Sequence, residues 1–154
     1  MNYNILLDEA VKQNIRIIEN ACFESNADGL INGNIIGLNK NMHTSAQKAC
    51  VLAEEMGHYY TTSGDIIELT TTINRKQEYR ARLWAYDKVI GLGGLISSYE
   101  AGCQSTYEMA EYLNITEPFL KEALQCYQKK YGISTNFGNY MIVFEPSLEI
   151  KKLP

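Results

Sequence analysis

The stretch Glu54-Glu55-Met56-Gly57-His58 places two carboxylates and an imidazole within five consecutive positions. Glu54 and His58 are four apart. On a helix that spacing puts both on one face, with Cβ atoms about 6 Å apart, so both can reach one metal ion. Glu55 stands one residue along and can address water at the same ion. The pattern is that of H-E-x-x-H with Glu in place of the first His. A catalytic zinc site wants three protein ligands and an open position. Glu78 follows His58 by twenty residues, enough for a turn and an antiparallel return, and offers the third ligand from the next helix. Gly57 costs its helix about 1 kcal/mol relative to Ala, and its missing side chain admits a close neighbour. Ala81, one turn beyond Glu78, lets the two helices approach.

The expected site is therefore Glu54, His58 and Glu78 as metal ligands, with Glu55 as general base. Its chemistry would be metal-assisted amide hydrolysis. The metal polarises the scissile carbonyl and lowers the pKa of its water. Glu55 takes the proton and delivers it to the leaving amine. Tyr59 or Tyr60 could steady the oxyanion, and the residues alone do not choose between them. Two carboxylates and one imidazole cancel the charge of a divalent cation, whereas two His and one Glu leave +1. The Glu54 form is thus a weaker Lewis acid. Oxygen-rich ligation also loosens the preference for zinc over manganese or iron.

Competing readings are blander. Charged helix residues are usually solvated, and E-E-x-x-H alone is common. Glu55-x-x-His58 is the spacing of di-iron bundles, but those need a second such motif. Lys40 stands three residues before His43, so that motif is missing. The four cysteines, Cys22, Cys50, Cys103 and Cys126, form no C-x-x-C pair and argue against a cysteine zinc site. They read as reduced thiols, mostly buried. Trp84 reads as core and His43 as surface. Arg75, Lys76, Arg80 and Arg82 read as a solvated helix face with Glu78 turned inward. Alternatively, Arg80 or Arg82 pairs with an acidic site residue.

Several elements must position this constellation. Residues 5–20 read as an amphipathic helix. Asn32-Gly33-Asn34 between short apolar runs predicts a β-hairpin over about 28–39. Thr44-Ser45-Ala46-Gln47 is a capping-box pattern that opens a helix over about 45–61. Residues 65–74 read as a loop. A second long helix runs from Arg75 to about Ile90. The glycines at 91, 93 and 94 mark the one candidate hinge, followed by a short helix from Leu95 to Ala101. Ser105 and Thr116 cap two further helices, to Leu113 and about Tyr131. Their arrangement suggests a helix-turn-helix. The second, Glu117 to Gln125, carries Glu117, Glu122 and only Lys121, so it reads as a packing or protein-docking helix. The tail turns at Asn136–Asn139 into a strand at Tyr140–Phe144, which Pro146 ends.

Composition narrows the field. The chain has 154 residues, of which 45% are hydrophobic and 21% charged, which excludes disorder as its overall state. Lys plus Arg is 14 and Asp plus Glu is 18. A formal charge of −4 argues against nucleic-acid binding. No apolar run suggests a membrane span, and no secretory signal opens the chain. A cytoplasmic protein is expected.

The chain resembles the ImmA/IrrE family of metallo-endopeptidases, notably the short members carried by phages and integrative elements. The resemblance covers most of the chain. It is carried by Ala27-Asp28-Gly29-Leu30 with the Asn-Gly hairpin, by Cys50 to Thr62, and by Asn74 to Ala85. Glu108 to Leu113 and Tyr131-Gly132 add to it. The Cys50–Thr62 and Asn74–Ala85 segments are the specific ones. By motif position Glu55 matches the family's catalytic glutamate, His58 its second metal-binding histidine, and Glu78 its downstream glutamate ligand. Glu54 departs from the usual first histidine, as short members often do. The resemblance implies a zincin-like core followed by a helical C-terminal part. It also implies a role in cleaving or disabling a helix-turn-helix repressor encoded nearby.

The expected fold is α+β: a zincin-like helical core with a small β-hairpin or sheet and a helical C-terminal part. One domain is expected over 1–154, with a metal-site core at 1–90 and a helical and C-terminal β-hairpin extension at 95–154. The expected function is a metal-dependent endopeptidase of a phage or mobile element, using Zn, or Mn or Fe, on a repressor as protein substrate. The alternative is a non-catalytic anti-repressor that keeps the fold and binds without cutting.

Overall fold

The computed structural model describes residues 2–62 and 71–154, with the backbone alone over 71–74. Its described elements are six helices and six strands in an α+β arrangement. Asn2 caps α1 (Tyr3–Lys12), its side chain accepting from the Ile5 N–H. The helix predicted over residues 5–20 ends at Lys12 instead. Asn14 takes a left-handed φ of 59°, and β1 (Arg16–Ala21) continues as a strand. The cause is a change of period: Ile15 is buried, Ile17 half-buried and Ile18 exposed. Short apolar runs of this kind fit either period, and pairing with a neighbouring strand decides.

The predicted hairpin forms as β2 (Gly29–Asn32) and β3 (Ile35–Asn39). Its turn is Gly33-Asn34, one residue later than an Asn-Gly turn, with Gly33 at a φ of 61°. Glycine first is the pattern of a type II′ connection. β3 is the middle strand of the sheet β1-β3-β2, parallel to β1 and antiparallel to β2. Ile36 and Leu38 bury one face of β3 against the helices.

Helix α2 (Ser45–Thr61) starts at the Thr44 cap, with both hydrogen bonds of the capping box made. Its buried stripe is Ala49, Cys50, Leu52, Ala53, Met56 and Gly57. Full burial of Leu52 and Met56 contributes about 1.5–3 kcal/mol each. Helix α3 (Thr71–Val89) packs along α2. It starts four residues before the predicted Arg75, so Thr71–Asn74 are helical rather than loop. The rest of that predicted loop lies outside the described residues. At the expected hinge Gly91 has a φ of 63° and opens α4 (Gly91–Glu100), which absorbs Gly93 and Gly94. Helices α5 (Thr106–Leu113) and α6 (Glu117–Tyr131) start at the predicted Ser105 and Thr116 caps. Asn114 ends α5 in the left-handed region.

The tail forms the predicted C-terminal hairpin and adds a third strand to it. β4 (Ser134–Phe137), β5 (Tyr140–Val143) and β6 (Glu149–Lys152) form a second antiparallel sheet. One buried cluster joins α1, the first sheet, the helices and Ile142 of β5.

Candidate metal centre

The closest approach in the predicted set is between α2 and α3. His58 Nε2 lies 3.2 Å from Glu78 Oε1. This contact depends on residues that carry no chemistry. Gly57 is buried against Ala81, itself fully buried. A Cβ at 57 would overlap the Ala81 carbonyl oxygen and stand 3.1 Å from its Cα. The close helix approach read from Gly57 and Ala81 is therefore present, and it brings the neighbouring His58 within reach of Glu78.

Glu54 stands one turn before His58 on the same helix. Burial raises its carboxyl pKa first; Arg82 pulls the other way, and Glu122, Glu78 and Asp28 raise it further. Of the two arginines suggested as partners of an acidic site residue, Arg82 is the one whose charge acts on Glu54, with no ion pair between them among the described residues. Burial, then Glu54, then Glu78 push the Glu55 carboxyl up to about 7. A carboxyl balanced near neutral pH can both take and return a proton. Glu78 differs from expectation: its side chain is 53% exposed, on the rim rather than turned inward.

A metal fits this donor set in part. Two donors about 2.1 Å from a tetrahedral ion stand about 3.4 Å apart, close to the spacing of His58 and Glu78. Three mutually repelling carboxylates beside a histidine also suit a divalent cation. Among the described residues, however, no three His, Cys, Asp or Glu side chains converge as a closed coordination set. The His58–Glu78 pair is assembled; Glu54 is adjacent to it without closing the triad.

Gly29 is a site residue that chemical type alone does not reveal. A Cβ there would stand 2.6 Å from Val51 Cγ1 and 3.3 Å from Glu55 Oε1. Only glycine lets β2 pass this close to the Glu55 carboxylate. Its signal in the sequence was the Ala27–Leu30 segment, which carried the resemblance without a role. Among the described residues β2 is also an edge strand, hydrogen-bonded only to β3.

The aromatic candidates separate. Tyr60 stacks on Trp84 at 5.0 Å and meets Tyr59 edge-on at 5.0 Å. Tyr60 and Trp84 line a cleft with Glu9, Lys12, Gln13 and Lys88, apart from His58 and Glu78. Trp84 is thus half-buried packing rather than full core. His43 is exposed, as expected. Cys50 and Cys126 are buried, Cys103 is half-buried and Cys22 is exposed; all four are free.

A motif helix in glycine contact with a second, glutamate-bearing helix stands beside a small sheet in an α+β domain. The family model described as Peptidase_M78, IrrE N-terminal-like domain, matches residues 10–142, and the chain belongs to that family. The family is typically one of metallopeptidases, which implies a metal cofactor. No curated protein and no solved structure gave a significant match. No described helix is long and apolar enough to cross a membrane.

Proposed function

We propose that the chain is a metal-dependent endopeptidase of a phage or mobile element that cuts, and so disables, a helix-turn-helix repressor in the cytoplasm. The observation that carries this reading is the 3.2 Å approach of His58 Nε2 to Glu78 Oε1, one helical turn from Glu54 and next to Gly57. Glu54, His58 and Glu78 would hold the ion, zinc first and manganese or iron next. When bound, the ion supplies a Lewis acid for the scissile carbonyl and for the attacking water.

The chain's own residues supply the rest. Glu55 accepts a proton from the attacking water and returns it to the leaving amine nitrogen. β2 offers a docking edge for the substrate backbone. Its register pairs Leu30 with Gly37 and Asn32 with Ile35 in the hydrogen-bonded positions beside the turn. The main-chain groups of Gly29 and Ile31 then point outward, where an extended peptide can add as a strand. Gly29 is also the residue that lies against Glu55, so a peptide on this edge passes the general base.

A second reading has one observation in its favour. The three ligands do not converge as a closed set among the described residues, which suits a non-catalytic anti-repressor that keeps the fold. The purified chain, incubated with zinc and the repressor encoded beside it, separates the two. Cleavage by the parent and none by Glu55→Gln supports the peptidase. Equal disabling of the repressor by both proteins, with no cut product, supports the binding module.

A further inference from the structure

Glu78 faces two ways. Towards α2 it meets His58, and towards α6 it lines a cleft of about 630 Å³. Arg75 and Arg82 of α3 and Lys129 of α6 line the same cleft. All three are exposed. The ion pairs among the described residues are His58–Glu78, Lys88–Glu9, Lys121–Glu117 and Lys151–Glu149, so none of these three cations is neutralised by one. The cleft's two carboxylates are already engaged. Glu78 pairs with His58, and Glu122 accepts a hydrogen bond from the Tyr86 hydroxyl at 3.3 Å. On a chain of formal charge −4, this cleft gathers three exposed cations against two carboxylates among the described residues, with Arg82 also acting on Glu54.

Its geometry selects among anions. Arg75 and Arg82 are seven residues apart on one helix, two turns and about 10 Å along its axis, so they lie on one face. The guanidinium fork matches a carboxylate in two-point contact. Tyr79, 44% exposed in the same cleft, adds an aromatic face for the body of a peptide. A continuous phosphate backbone fits less well, since Glu78 and Glu122 interrupt the cations. Discrete carboxylates on a flexible chain can avoid them.

We propose that the α3–α6 cleft binds an acidic segment of the protein substrate, with Arg75, Arg82 and Lys129 taking its carboxylates. Glu78 belongs to both the cleft and the metal site, so a segment held here lies directly beside the reacting centre. That the occupant is a substrate rests on the peptidase reading. The preference for an acidic peptide rests on the cleft alone.

The test is fluorescence anisotropy on the full chain, with chelator present so that no metal contributes. The probes are a labelled dodecapeptide carrying four glutamates in a Ser/Ala background, its all-glutamine counterpart, and a labelled oligothymidylate. The glutamate peptide should bind at least about tenfold more tightly than the glutamine peptide. Arg82→Gln should weaken it about fivefold, and the triple change Arg75→Gln, Arg82→Gln, Lys129→Gln more than tenfold, as expected for losing exposed charge pairs. Circular dichroism should be unchanged, and Lys40→Gln, away from the cleft, should bind as the parent does. Equal affinity for both peptides overturns the proposal, as does full binding by a folded triple variant. Oligothymidylate binding as tightly, and lost in the same triple variant, also overturns it and points to a nucleic-acid site. Zinc content of the same preparations, measured before chelator is added, keeps the two readings apart. Charge-selective peptide binding without zinc uptake preserves the cleft and removes the peptidase. Zinc uptake without charge-selective binding does the reverse.

Discussion

Gly57 of α2 and Ala81 of α3 touch through their backbones: a Cβ at 57 would overlap the Ala81 carbonyl oxygen. That contact sets the separation of the helices bearing His58 and Glu78. Gly57→Ala removes about 1 kcal/mol of helix penalty, yet it forces the helices apart at a buried contact, costing about 1–3 kcal/mol. The net result should be a lower urea midpoint with an unchanged slope. Zinc affinity should fall together with stability, because spreading the helices separates the ligand pair.

Glu78→Ala tests the proposed third ligand directly. Its half-exposed side chain contributes little to the core, so thermal unfolding of the metal-free protein should barely change. Zinc in the purified protein should drop from near one equivalent to below about a tenth, because two ligands from one helix hold the ion poorly. Metal analysis beside the parent is the measurement.

Glu55→Gln keeps shape and hydrogen-bonding size while removing the proposed base. Zinc content and melting should match the parent, and repressor cleavage should fall by about 10²- to 10⁴-fold. Single-turnover cleavage on a gel reads the difference.

Glu54→His changes the ligand charge around a divalent ion from balanced to net +1. A more positive site favours deprotonation at lower pH. The acid limb of the pH–rate profile should move down relative to the parent, and zinc should be preferred more strongly over manganese.

Cys50 and Cys22 should titrate apart. Burial pushes the Cys50 thiol up to about 11, against a weaker opposing effect of its Thr116 neighbour. At pH 8 only about one thiol in a thousand would then be thiolate. Keeping this thiol neutral favours the folded state at every pH below its ordinary value, and the advantage is lost as pH rises through 11. Iodoacetamide at pH 8 should label exposed Cys22 within minutes and leave Cys50 unmodified until urea unfolds the chain. Peptide mass analysis reads both sites.

Local chemistry made much of this molecule legible in its sequence. Thr44 with Gln47, Ser105 and Thr116 mark three helix starts because a side-chain oxygen satisfies orphan N–H groups within three residues. Gly33 marks the hairpin because its turn needs a positive φ. The four-residue spacing of Glu54 and His58 followed from helix geometry alone. What depended on distant partners was not legible. Arg16–Ala21 became a strand because β3 pairs with it, its partners lying 18 or 19 residues along the chain. β6 exists because β5 offers an edge. Gly29 gained its place at Glu55, and Arg82 rather than Arg80 its influence on Glu54, only when the sheet and α3 met α2. The sequence determined which groups could do chemistry and which helices carry them. The tertiary structure decided which of them meet, because a 3 Å approach between helices depends on the shapes of two surfaces that no local pattern encodes.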